Sequence, residues 1–228
     1  LNKKFLIFLI IIFFSQGVSA TEFIGEFRQG SFILGKTEVN SKVLIDDRKI
    51  RVSKEGYFVF GLSRDRKNNI VIKIIKNGSS KIYKREIIKR DYNIQKINGL
   101  PKKQVTPPKE VYDRIKKDNI LIGKAREIDS SLDFFKNKFV KPLDKAIITG
   151  VYGSQRILNG KPRSPHFGLD YAANEGAPIK AMLSGIVTLA KNDLYYTGGT
   201  IIFDHGHGIS TLYMHMKDVD VKIGQRVR

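Results

Sequence analysis

Short runs of β-branched and aromatic residues, each closed off by turn-forming residues, constrain the fold of this chain more than any other feature. Val43-Leu44-Ile45, Lys49-Ile50-Arg51-Val52, Tyr57-Phe58-Val59-Phe60-Gly61 and Ile70-Val71-Ile72-Lys73-Ile74-Ile75 are such runs. Asp46-Asp47, Lys54-Glu55-Gly56 and Arg66-Lys67-Asn68-Asn69 separate them, and residues of these types favour turns between strands. Closely spaced strands and turns predict a small β-sandwich-like domain over residues 21–98. That stretch has no histidine and no compact acid cluster, so it reads as a targeting, spacing or purely structural unit.

The same rhythm returns after about Phe139. Ile147 to Gly153, Gly185 to Ala190, Gly199 to Phe203 and Gly208 to Met216 are strand candidates. Between the two β regions lies Gly99-Leu100-Pro101-Lys102-Lys103-Gln104-Val105-Thr106-Pro107-Pro108, whose prolines predict a linker. A helix is expected just beyond it. Thr106 or a neighbour can cap it, prolines are tolerated in the first turn, and Val111, Ile115 and Ile122 recur near helical spacing. Gly123 is a point where that helix can break. The expected organisation is therefore mainly β, with a front domain at 21–98, a linker and helix at 99–138, and a second β domain at 139–228.

The chain starts Leu1-Asn2-Lys3-Lys4, runs without a polar residue from Phe5 to Phe14, and reaches small residues at Val18 and Ala20. A basic start, a short apolar run and small residues three and one before a cut predict a secretory signal peptide over residues 1–20. A membrane anchor needs roughly 18 or more apolar residues, so contact with the membrane is expected only transiently, during export. The formal net charge is +19, of which Lys3 and Lys4 supply the only part before Thr21. A chain this basic favours polyanions, and with an export signal the expected partners are anionic polymers of the cell envelope, not nucleic acid. With no cysteine, neither disulfides nor a thiol nucleophile is available.

All four histidines fall in the second half. His166 and Asp170 stand four residues apart in Ser164-Pro165-His166-Phe167-Gly168-Leu169-Asp170-Tyr171. A neutral imidazole and an ionised carboxylate are good zinc ligands, each reaching the ion at about 2 Å. In a straight strand their Cα atoms would stand about 13 Å apart, at about 3.3 Å per residue, so Gly168 is expected to supply a bend or bulge. Alone, the pair also fits two unrelated polar residues. His215 lies in Thr211-Leu212-Tyr213-Met214-His215-Met216, where a period of two puts Thr211, Tyr213 and His215 on one face. There it can assist a metal-bound water or a developing oxyanion, or be a half-buried histidine satisfied by a carbonyl. Asp204-His205-Gly206-His207-Gly208 reads as a loop between two strands, its glycines suiting a tight hairpin better than a rigid ligand strand.

Taken together, Tyr152-Gly153-Ser154-Gln155-Arg156, Pro162 to Asp170, Gly176-Ala177-Pro178-Ile179-Lys180-Ala181, Gly185-Ile186-Val187, Asp204 to Gly208, Leu212-Tyr213-Met214-His215 and Val221 to Val227 closely resemble the lysostaphin-type zinc metallopeptidases that cut peptidoglycan cross-links. The resemblance implies an antiparallel-β peptidase domain, His166 and Asp170 as zinc ligands, and His215 as a catalytic histidine. In that family a later His-x-His brings a third ligand and a second catalytic histidine. The sequence ends at Gln225-Arg226-Val227-Arg228, and the expectation is a peptidase domain truncated at its carboxy terminus. The function expected is zinc-dependent hydrolysis of peptidoglycan cross-links in the periplasm or envelope of a bacterium. The alternative is a non-catalytic envelope protein that binds peptidoglycan or activates another wall hydrolase. A biotinyl- or lipoyl-carrier reading of Gly176 to Val187 with Val221 to Val227 lacks the lysine in a Met-Lys-Met-like hairpin that such carriers use.

Overall fold

A computed structural model describes residues 20–101 and 105–228. All of the expected signal peptide except Ala20 lies outside the described residues, as do Lys102, Lys103 and Gln104 of the expected linker.

The front of the chain forms two antiparallel sheets. One is ordered β1-β2-β5, from β1 (Glu22–Ile24), β2 (Phe32–Lys36) and β5 (Tyr57–Gly61). The other is ordered β4-β3-β6-β7, from β3 (Lys42–Ile45), β4 (Arg48–Ile50), β6 (Ile70–Lys76) and β7 (Ser79–Arg85). Ile33 and Phe58 from the first sheet and Val43, Ile72 and Ile74 from the second share one apolar cluster. Full burial of such side chains contributes about 1.5–3 kcal/mol each, which explains why the two sheets stack as the sandwich read from the sequence. Gly35 stands opposite Phe58 across β2 and β5, and a side chain there would overlap the Phe58 ring. The small residue on one strand thus makes room for the large one on its neighbour.

The next strand, β8 (Ile94–Ile97), joins the other half of the molecule. It pairs in parallel with β10 (Gln155–Leu158), whose other edge carries β11 (Lys161–Pro162). A segment inside the expected front domain therefore completes a sheet with carboxy-terminal strands. The helix α1 (Tyr112–Arg126) follows the prolines as expected, but differs in detail. A 3-10 turn at Lys109–Val111 leads into it after Pro108, no side chain caps it, and it continues through Gly123. Thr106 plays no capping part, because the helical backbone starts too far beyond it.

Helix α1 lies against a four-stranded antiparallel sheet ordered β15-β14-β13-β16, made of β13 (Gly185–Leu194), β14 (Gly198–Gly206), β15 (Ile209–Met216) and β16 (Arg226–Val227). On one face Ala125 of the helix packs with Leu189, Leu194 and Ile202. On the other face Val187, Ile201 and Phe203 pack with Tyr213, Val221 and Val227. Covered on both sides, β14 is buried from Gly199 to Gly206, as its near-continuous apolar run requires.

Candidate metal centre

β9 (Ile147–Gly150) and β12 (Asp170–Ala172) form a two-stranded antiparallel pair, and Asp170 stands opposite Gly150 where a bulge separates Asp170 from Tyr171. A side chain at Gly150 would overlap the Asp170 carboxylate, so glycine there lets the carboxylate lie across the neighbouring strand. Just upstream, the His166 main chain is held from both directions. Its N–H donates to Ser154 O at 2.8 Å, and its carbonyl accepts from Gly153 N–H at 2.7 Å. The chain bends at Gly168, the position expected from the sequence. Gly168 has an ordinary backbone conformation there, and the bulge itself lies two residues on, at Asp170.

This bend brings His166 Nε2 to 3.0 Å from Asp170 Oδ1. On the other side of the ring, His166 Nδ1 lies 3.2 Å from Val151 O. A carbonyl only accepts, so Nδ1 donates to Val151 O and Nε2 is the ring nitrogen left facing the carboxylate, the atom that carries the lone pair when the ring is neutral. Two electron-pair donors converging in this way suit a cation between them. The backbone carbonyl behind the ring is the usual means of fixing a metal-binding imidazole. His166 is buried while the Asp170 side chain keeps 41% of its surface exposed, so the pair opens to solvent on the carboxylate side. Asp170 Oδ2 accepts from Arg156 Nη2 at 3.0 Å, and Arg156 Nε donates to Gln95 Oε1 of β8 at 3.3 Å. The arginine takes one carboxylate oxygen and leaves the other beside His166.

His166 and Asp170 are thus brought together as expected, while His205 and His207 are engaged by other partners. His205 lies within strand β14, not in a loop, because the flanking apolar run extends the strand through it. It is fully buried, with Nδ1 2.6 Å from Ser184 O and Nε2 2.8 Å from Thr211 Oγ1. Both nitrogens are satisfied, so it has no lone pair for a metal. His207 forms the turn, with φ 53°; its N–H donates to Ser130 O at 2.9 Å and its ring centroid lies 4.6 Å from that of Phe135. Among the described residues no group of three or more histidine, cysteine, aspartate or glutamate side chains is arranged to hold a metal.

His215 departs from the expected face. A register shift falls between Gly199 and Ile201 opposite it, and His215 itself has φ 61°. The period-two alternation that aligns Thr211 with Tyr213 stops before His215, which is exposed. Its N–H donates to Thr197 O at 2.8 Å. Left-handed backbone is uncommon for a non-glycine residue, costs about 1–3 kcal/mol, and concentrates at functional sites.

Burial holds the His205 imidazole below its ordinary value, against the smaller opposing effects of the Ser184 carbonyl and Asp204. Burial, and then the nearby Arg51 charge, act in the same direction on His207. As the pH drops through about 6.5, the unfolded chain takes up these protons before the folded one does. Stability is therefore expected to be constant above that pH and to fall below it, with a limiting slope of about 1.4 kcal/mol per pH unit for each histidine. Urea midpoints at pH 7.5 and 5.5 check this; an equal or higher midpoint at pH 5.5 contradicts it.

Comparison with known proteins bears on the half of the chain that holds this centre. Residues 164–228 match the profile of Peptidase family M23, and the likeness to lysostaphin-type peptidases read from the motifs holds there. An uncharacterised metalloprotease of Buchnera aphidicola subsp. Baizongia pistaciae is 29% identical over 183 residues, which is 80% of this chain and 44% of that protein. The peptidoglycan DD-endopeptidase ShyA of Vibrio cholerae is 34% identical over 64 residues, 28% of this chain and 15% of that protein. The chain thus spans less than half of each of these relatives. A crystal structure from Pseudomonas aeruginosa described as a peptidase M23 superposes with a TM-score of 0.63 at 22% identity, covering 89% of this chain and 79% of that one. That likeness shows the fold: a mainly β protein with antiparallel sheets.

Proposed function

With residues 164–228 matched to peptidase family M23, we propose that this protein is a zinc-dependent endopeptidase that hydrolyses peptide cross-links of peptidoglycan. His166 and Asp170 are the metal ligands in this reading, and His215 is a catalytic histidine. The observation that carries it is the 3.0 Å meeting of His166 Nε2 with Asp170 Oδ1, while Nδ1 is engaged by a backbone carbonyl. The name of the Vibrio cholerae relative, a peptidoglycan DD-endopeptidase, supports the substrate class. The basic charge and the expected export signal fit a periplasmic or envelope location.

Bound zinc supplies a Lewis acid for the scissile carbonyl and a water of lowered pKa. The chain's own groups do the positioning. Val151 O holds His166 in the tautomer that frees Nε2, and Arg156 holds Asp170 Oδ2 so that Oδ1 alone faces the histidine. His215, exposed and fixed in a left-handed conformation, offers an imidazole that can take a proton from the attacking water and return it to the leaving amine.

Catalytic zinc sites normally have three protein ligands, and the described residues bring together two. That observation keeps a second reading, a non-catalytic protein that binds peptidoglycan or activates another hydrolase. The two readings separate when sacculi are incubated with the protein isolated from its own cells and the muropeptides are analysed. The endopeptidase converts cross-linked dimers to monomers, loses this activity to a chelator and regains it with zinc. Retention on sacculi with an unchanged muropeptide profile establishes the second reading.

A further inference from the structure

The four-stranded front sheet has a second face, turned away from the sandwich core. Val43, Ile45, Ile70, Ile72 and Ile74 point inward, so strand alternation turns Lys42, Leu44, Lys49, Lys73, Ile82 and Lys84 outward. The pairings Lys49 with Leu44, Leu44 with Lys73 and Lys73 with Ile82 make one row across the four strands. Lysine and aliphatic side chains alternate along that row, about 4.8 Å from strand to strand. Ile82 is 56% exposed, and Val71 on the same face is 39% exposed. Among the described residues, none of the four lysines is in an ion pair. The four strands contain no aspartate or glutamate, and their outward positions carry no aromatic ring.

We propose that this face docks on an anionic phospholipid surface. Lysine stems lie along apolar surface while their ammonium groups reach phosphate. The aliphatic side chains between them enter the boundary between headgroups and acyl chains. A binding face for bases would carry aromatic platforms for stacking, and this one carries none. No described helix is long and apolar enough to cross a membrane; the contact proposed is made by a sheet face. It adds a standing membrane contact to the transient one expected from the signal peptide, and it is independent of the reading of the metal centre.

The test uses the protein from Thr21 onward, which retains every residue of the described cores. It is sedimented with vesicles of equimolar phosphatidylcholine and phosphatidylglycerol, and with vesicles of phosphatidylcholine alone. Binding is expected only with the mixed vesicles. Lys42→Glu with Lys73→Glu is expected to lower the partition coefficient by about 25-fold or more, about fivefold for each lysine. Leu44→Ser with Ile82→Ser lowers it several-fold at unchanged charge, and Lys116→Glu with Lys117→Glu on α1 leaves it close to the parent. An unchanged thermal midpoint certifies each variant, and Lys42→Gln with Lys73→Gln replaces the charge reversal if that variant unfolds. Equal binding to both vesicles overturns the proposal, as does an equal loss in the helix variant. Parent-like vesicle binding by the aliphatic variant, or capture by polyphosphate or sacculi through the same lysines without vesicle binding, overturns it in favour of a soluble or wall polyanion.

Discussion

His166→Ala and Asp170→Ala are each expected to remove zinc-dependent cross-link cleavage from the protein isolated from its own cells, and to weaken its zinc affinity by well over tenfold. Loss of a group that merely orients a ligand costs about 10–100-fold in metal affinity or activity, so loss of the ligand itself costs at least that. His166 is the more sensitive position. It is buried, and its ring is fixed between Val151 O and the Asp170 carboxylate, so no neighbouring side chain can take its place. His205→Gln and His207→Gln are the controls. One of these histidines is satisfied by Ser184 and Thr211, and the other packs on Phe135, so zinc affinity in both variants is expected to stay within about twofold of the parent. Competition titration with a chromophoric chelator reads these affinities. Loss of zinc in the His207 variant with retention in the His166 variant reverses the assignment.

The largest effect on stability is expected from Gly206→Ala. Gly206 has φ 91°, and a Cβ there would overlap the Leu132 carbonyl oxygen. Two costs combine: a left-handed conformation that alanine disfavours and a collision with backbone that cannot swing aside. Each is worth about 1–3 kcal/mol, giving about 2–6 kcal/mol in total. The segment from Ser130 to Phe135 presses on this turn through Leu132, through Ser130 O on His207 N–H, and through the Phe135 ring. The damage therefore reaches the end of the buried central strand β14. Gly224→Ala separates the two costs, because Gly224 has φ 85° and a Cβ there meets open space. Its expected cost is the backbone part alone, about 1–3 kcal/mol. Urea denaturation of both variants measures the difference; equal midpoints contradict the steric account.

What the sequence made legible follows from the range over which each feature is determined. Strands β3, β5 and β6 are rich in β-branched and aromatic residues and bounded by local turn residues, so a short window suffices to find them. Strand β8 reads Ile94-Gln95-Lys96-Ile97, half of it polar, and its parallel partner β10 lies some sixty residues away. No local pattern announces such a pairing. The His166 and Asp170 pair was visible because both residues lie in one short motif. Gly150 was not, since its need for a small side chain arises only when β9 is laid beside β12. Arg156 and Gln95 went unassigned for a related reason: the contact between them depends on a parallel pairing that nothing in either segment predicts, and Arg156 reaches Asp170 from a different sheet. His215 shows the converse error. Strand periodicity placed it on the face of Thr211 and Tyr213, and a bulge with left-handed backbone removed it.

In the proposed function, His166 and Asp170 hold a zinc ion between them. Anomalous diffraction at the zinc edge, from crystals of the protein isolated from its own cells and equilibrated with zinc, tests it most directly. A peak is expected about 2.0–2.2 Å from both His166 Nε2 and Asp170 Oδ1. A peak on His205 or His207, or density at saturating zinc that leaves the His166 and Asp170 pair without an ion, contradicts it.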